Sequence, residues 1–333
     1  MRGAVRRTGR GSGERWWAIP AVWAVLLGSA FLWSCGSASR FPFTFPDGVA
    51  IDANGAIYVA DTSNNRIVRM DDMSGTNSVA FGSLGGDRYQ FNTPIGIAVD
   101  ANFHIYVADA RNYRIVEMDD MSGTNWTDLG AYGSGDFQFA FPKGIAVDAT
   151  GKIYVTDAGN GRIVQLDDMT KNAGTWHAFG TSGQGTGQFS GPSGIDVDSG
   201  GGIYVADYAN NRIVRVDDIS GSGWASLGNT APGPGRGINQ FYGPFGITVT
   251  SSGQILVADS QNNRIVQIDD IGGTNWTSLG GTNPGVGKNQ FNAPGDVALG
   301  NANSVFSIFV CDTGNSRIAA MTDITGLDWT TYP

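Results

Sequence analysis

Six aspartates and six arginines held at one spacing are the most regular chemistry-bearing residues of this chain. Asp61, Asp109, Asp157, Asp207, Asp259 and Asp312 are followed five residues later by Arg66, Arg114, Arg162, Arg212, Arg264 and Arg317. A carboxylate can accept turn N–H groups, and a guanidinium pairs with carboxylates or carbonyls in a fixed fork. Catalysis needs one site, so a pair that occurs six times reads as structure. Doubled acids (Asp71-Asp72, Asp119-Asp120, Asp167-Asp168, Asp217-Asp218, Asp269-Asp270) could suggest calcium, which takes several oxygen ligands. No copy has the dense Asp-x-Asp-x-Asp spacing of a calcium loop, and solvated hairpin turns are the better reading. Zinc needs three or four His, Cys or carboxylate ligands, whereas His104 and His177 fall at non-equivalent positions. Cys311 stands where other copies have Ala or Thr and reads as a small buried residue. The Gly-rich stretch 180–187 leads into a strand, unlike a phosphate loop, which opens a helix. No catalytic residue and no metal set emerges, and no cofactor is expected, with calcium or another divalent cation as the alternative.

The elements that carry these residues are repeats. Ile-Tyr-Val-Ala-Asp recurs at 57–61, 105–109 and 203–207, with variants at 153–157, 255–259 and 308–312. The arginines lie 48, 48, 50, 52 and 53 residues apart, so six copies run from about residue 41 to 333. Each copy reads as four short strands, exemplified by 96–100, 105–109, 114–119 and 125–130 of the second. Several runs are nearly continuous in apolar residues, as expected where both sheet faces are covered. Four-stranded units repeated radially, each burying a face on its neighbours, make an all-β six-bladed propeller. The 50 glycines among 333 residues are the punctuation of such an architecture.

The first 40 residues are of another kind. Five arginines up to Arg15 precede an apolar run from Trp16 to Trp33, and Leu32-Trp33-Ser34-Cys35 ends it. This order of basic, apolar and small residues reads as a secretion signal over 1–34. Cys35 directly after the small residue resembles a bacterial lipobox, which implies a lipidated N-terminus with a short tether over 35–40. An uncleaved anchor and simple secretion stay open as alternatives. The expected location is the bacterial cell envelope, with lipid as the only membrane contact. Removing residues 1–34 takes the formal charge from −9 to −13, which repels nucleic acid. A monomeric propeller is expected.

Gly187-Gln188-Phe189, Pro192-Ser193-Gly194, Ile195 to Asp198 and Asn211-Arg212-Ile213 resemble the NHL-repeat family of propellers. The resemblance covers roughly 290 residues and implies six blades of four antiparallel strands. The sixth copy departs most, because Pro294-Gly295-Asp296 displaces the glycine and Asn301 to Ser307 lengthens its first turn. The ring could close without an outer strand from the N-terminus, or Phe41–Phe45 could supply one. Zinc-dependent amidating lyases of this fold use a His cluster that is missing here. Lactonase-type propellers hold a divalent metal with Glu, Asn and Asp, whereas the only mature glutamate is Glu117, in the third strand of its copy.

Positions that differ between copies on the face carrying the strand 2–3 turns are the candidates for specificity. Within Pro-x-Gly they are Asp47, Ile95, Lys143, Ser193 and Phe245, and Asp296 takes the glycine position of the sixth copy. The turns add Ser63, Arg111 with Tyr113, Tyr208 and Gln261. A ring of these residues around the channel mouth is expected. Tyr, Phe and Arg are the types that anchor interfaces. The first functional reading is a non-enzymatic binding or scaffold propeller for a protein or glycan. The alternative is a metal-dependent hydrolase or lyase, lactonase-like, at the channel mouth.

Overall fold

The computed structural model describes residues 41–172, 174–228, 234–281, 283–302 and 305–333. The expected signal segment over 1–34 and the expected tether with Cys35 lie outside the described residues. Each repeat folds into one four-stranded antiparallel sheet in sequence order. In the second blade the strands are Pro94–Val99, Ile105–Asp109, Arg114–Met118 and Thr127–Gly130. The other blades repeat this plan, from Gly48–Ile51 in the first to Thr330–Tyr332 in the last. The first strands of successive blades pack on one another, and that of the sixth packs on that of the first. They are therefore the inner wall of a closed ring.

The second strand is buried along its whole length in blades one to five, because neighbouring blades cover both of its faces. This explains its unbroken apolar run. The core consists of six clusters between blades, such as Ile67, Phe91, Ile105 and Met118 between the first two. One phenylalanine wedges into each gap: Phe43, Phe91, Phe139, Phe189, Phe241 and Phe291. In five gaps it packs on a tryptophan at the start of a fourth strand, as Phe91 does on Trp126 at 5.4 Å and Phe241 on Trp276 at 5.1 Å.

The first blade has Ser78 where the others have tryptophan. Two residues from elsewhere compensate. Tyr332 packs edge-on against Phe43 at 5.6 Å, and Phe41 lies under the Arg66 guanidinium at 5.3 Å, where a tryptophan lies under the other five repeat arginines. Residues 41–45 form no strand. They act as the linker into the first blade, so the expected alternative of an outer strand at Phe41–Phe45 is corrected. The fourth strand of the sixth blade comes from its own repeat.

Candidate functional site

The Asp–Arg pairs define what the blades use for themselves. All six aspartates are fully buried. Asp109 accepts from the Asn92 amide at 2.7 Å, the Asn112 side chain at 2.7 Å and Arg114 Nε at 2.8 Å. Arg114 then donates to the carbonyls of Gly86, Asp87 and Gln90 and stacks on Trp126. Each cluster thus ties the turn after the second strand to the loop entering its blade. A left-handed residue precedes each arginine, with φ between 53° and 64°. Where it is Asn65, Asn211 or Asn263, its side-chain oxygen accepts an amide of the next inter-blade loop at 2.9 Å.

The doubled acids lie in turns after the third strands. Asp120 Oδ1 accepts the Ser122 amide at 2.7 Å and the Ser122 hydroxyl at 2.6 Å, which holds its pKa down at about 2. Among the described residues no group of three or more His, Cys, Asp or Glu is arranged to hold a metal ion. His104 is bonded to Asp100 at 2.9 Å, and His177 lies in the fourth strand of the third blade. Neither lines the central channel. Glu117 accepts a hydrogen bond from Tyr106 at 3.0 Å.

The central channel is the candidate site. It is a cavity of about 210 Å³ lined by the first strands of all six blades, with Asp47, Ile95, Lys143, Ser193, Phe245 and Asp296 among the lining residues. The Pro-x-Gly sequence explains why these side chains gather. A Cβ on Gly144 would collide with the Ser193 carbonyl, and one on Gly96 with the Lys143 carbonyl. Only glycine lets adjacent inner strands come this close, and the residue before it is carried onto the wall of the mouth.

The sixth blade breaks the pattern. Gly295 takes the variable position and Asp296 the glycine position, with its carboxylate against Gly246 of the fifth blade. Asp296 accepts the Val49 amide of the first blade at 3.1 Å and its own neighbour Val297 at 2.9 Å. Burial pushes its pKa up to about 7 despite those two amides, with Asp196 and Asp47 adding to the rise. Asp47 is raised to about 6 by burial, opposed by the Thr62 hydroxyl, Lys143 and the Thr313 hydroxyl. Asp196 accepts the Val249 amide at 2.8 Å and the Thr248 hydroxyl at 2.9 Å. Its carboxyl too is raised by burial.

Lys143 faces these acids. Its ammonium lies 5.4 Å from the ring centres of both Tyr208 and Phe245, which meet edge-on at 5.9 Å. Gln261 donates to the Tyr208 hydroxyl at 2.5 Å and fixes that ring. Burial lowers the Lys143 pKa, and Asp47 opposes the fall.

Arg111 and Tyr113 are not part of this ring. Arg111 is exposed, and Tyr113 packs on the exposed Tyr132 at 4.9 Å. Neither lines the channel. The expected single ring therefore divides into a channel mouth and a separate aromatic patch on the second blade. Sequence reasoning missed Tyr132, Asp196 and Thr248. Asp196 and Thr248 were detectable as polar residues at an inner-strand position where the other four copies have alanine.

A search of curated proteins finds no match. The NHL repeat family matches residues 43–70, 91–117, 139–166, 189–215 and 241–268. Among solved structures, a streptogramin B lyase is 19% identical with a TM-score of 0.59, covering 88% of this chain and 84% of that one. Virginiamycin B lyase from Staphylococcus aureus is 16% identical with a TM-score of 0.58, covering 87% and 84%. A protein of unknown function from Bacteroides thetaiotaomicron is 14% identical with a TM-score of 0.61, covering 89% and 72%. At these identities the likeness establishes the fold alone. The unmatched repeat is the one in which Asp296 displaces the glycine. The chain is a six-bladed β-propeller of four-stranded antiparallel blades, five of which carry NHL repeats.

Proposed function

We propose that this chain is a binding propeller, exported and held to a bacterial envelope through lipid on Cys35, that engages a protein or glycan partner through the face carrying the strand 2–3 turns. One observation supports this reading above others. The residues that repeat are committed to the framework, with each repeat aspartate fully buried, whereas the Pro-x-Gly residues that differ from blade to blade converge on the channel mouth. A surface that varies around a fixed scaffold is where recognition is built. Lys143, Tyr208 and Phe245 supply a cation and two aromatic faces there.

Substituting Lys143→Ala, Tyr208→Ala and Phe245→Ala together tests the reading. Capture of the partner from a native envelope extract is expected to be lost while the melting curve is retained. Unfolding of the triple variant would make these residues structural. A stoichiometric divalent ion in the purified protein would instead move the reading to the metal-dependent hydrolase or lyase.

A further inference from the structure

The channel mouth is electrically divided. Lys143, on the third blade, makes no hydrogen bond or ion pair with any described residue; its ammonium lies against the faces of Tyr208 and Phe245, and Asp47 is the carboxyl group whose charge reaches it. A half-buried ammonium with its donors unused is unfavourable unless something else accepts them. In the cyclic order of blades, the third stands opposite the sixth. There Asp296 and its neighbour Asp47 of the first blade put two carboxyl groups on the same cavity wall. Ile95 and Phe245 supply apolar wall between the poles. The mouth is half open to solvent, and its volume of about 210 Å³ holds a small molecule.

We infer that the mouth binds a small zwitterion of the aminocarboxylate class, its carboxylate on the Lys143 ammonium and its ammonium on Asp47 with Asp296. A simple anion would meet the two acids on the far wall, and a simple cation would meet Lys143. A molecule carrying both charges satisfies both walls and adds no net charge to a strongly acidic chain. The inference names a ligand class for the mouth and rests on the binding reading above. Failure of small-molecule binding with partner capture intact would overturn the inference alone.

The test is calorimetric titration of the mature chain with the ω-amino acids from glycine to 6-aminohexanoate, set against the alkanoates and alkylamines of matching length. The expected result is one preferred length, with the matching alkanoate and alkylamine at least tenfold weaker. Lys143→Met is expected to reduce binding of the preferred compound at least tenfold, to the level of the amine. Asp47→Asn is expected to reduce it to the level of the alkanoate.

A measurement on the native chain stands should either variant fail to fold. Affinity for the zwitterion should rise between pH 5 and pH 8 as Asp47 and Asp296 lose protons, whereas affinity for an alkanoate should fall. The charged groups facing this site are Asp47, Asp296, Asp196 and Lys143; Asp61 and Asp312 behind them are held by Arg66 and Arg317. Equal binding of the alkanoate or the amine, or no binding by any member of the series, overturns the inference.

Discussion

At the residue scale, the repeat arginines are not equivalent, and their differences predict unequal costs. Arg114 is 9% exposed and reaches three carbonyls, whereas Arg66 is 21% exposed and, among the described residues, reaches only that of Pro42. Removing one partner of a buried ion pair leaves an uncompensated charge and costs about 3–5 kcal/mol. Arg114→Met is expected near that range in denaturant unfolding, and Arg66→Met well below it. Tyr113 makes the opposite case. It holds a left-handed backbone at φ 56° where three other blades use asparagine, a conformation that asparagine tolerates far better. It also lacks the side-chain oxygen with which Asn65 accepts the Thr93 amide. Tyr113→Asn should therefore stabilise the chain by about 0.5–1 kcal/mol, read as a raised midpoint at unchanged denaturant slope. A residue kept at a cost to its turn points to a use for the Tyr113–Tyr132 pair outside the framework.

At the element scale, the inner strands decide the site through close approach. Gly144→Ala should cost about 1–3 kcal/mol, because its Cβ would meet the backbone of the next blade. Gly151→Ala, in an open turn at φ 88° with nothing near its Cβ, should cost only about 1 kcal/mol of backbone strain. Comparing the two midpoints separates interblade packing from turn conformation. This scale also shows what the sequence could reveal. Repetition exposed the strands, their order and the Pro-x-Gly positions, because every blade must bury its faces in the same way. The division of Lys143 from Arg111 and Tyr113 was hidden, since repeat alignment records register and says nothing of distance from the ring axis. The raised carboxyls were hidden for a similar reason: Asp296 differs from an exposed aspartate only by what surrounds it.

At the scale of the whole molecule, the ring is held shut at an irregular seam. The gap between the sixth and first blades lacks the tryptophan of the other five and is filled by Phe41, Phe43 and Tyr332. Tyr332 is 1% exposed and its neighbours are preformed blades, so Tyr332→Ala should cost about 3–5 kcal/mol, as large aromatic truncations do. The second device at this seam is Asp296, whose carboxylate accepts the Val49 amide across it. Its pKa near 7, against an ordinary 3.8, means that the folded chain keeps a proton that the unfolded chain has released throughout the interval between those values. Stability therefore falls as pH rises through that interval. Asp47, raised to about 6, acts with the same sign, as do Asp196, the buried repeat aspartates that burial raises, and His104, whose pKa is raised by Asp100 against the effect of burial. Lowered exposed acids such as Asp120 titrate below this window. The melting temperature is expected to fall between pH 5 and pH 8. Asp296→Asn keeps one of the two accepting oxygens and removes the titration, so it should flatten that slope whatever the loss of one amide hydrogen bond costs at every pH. A slope identical to that of the unaltered chain would show that the carboxyl at the seam releases its proton no later than an exposed one.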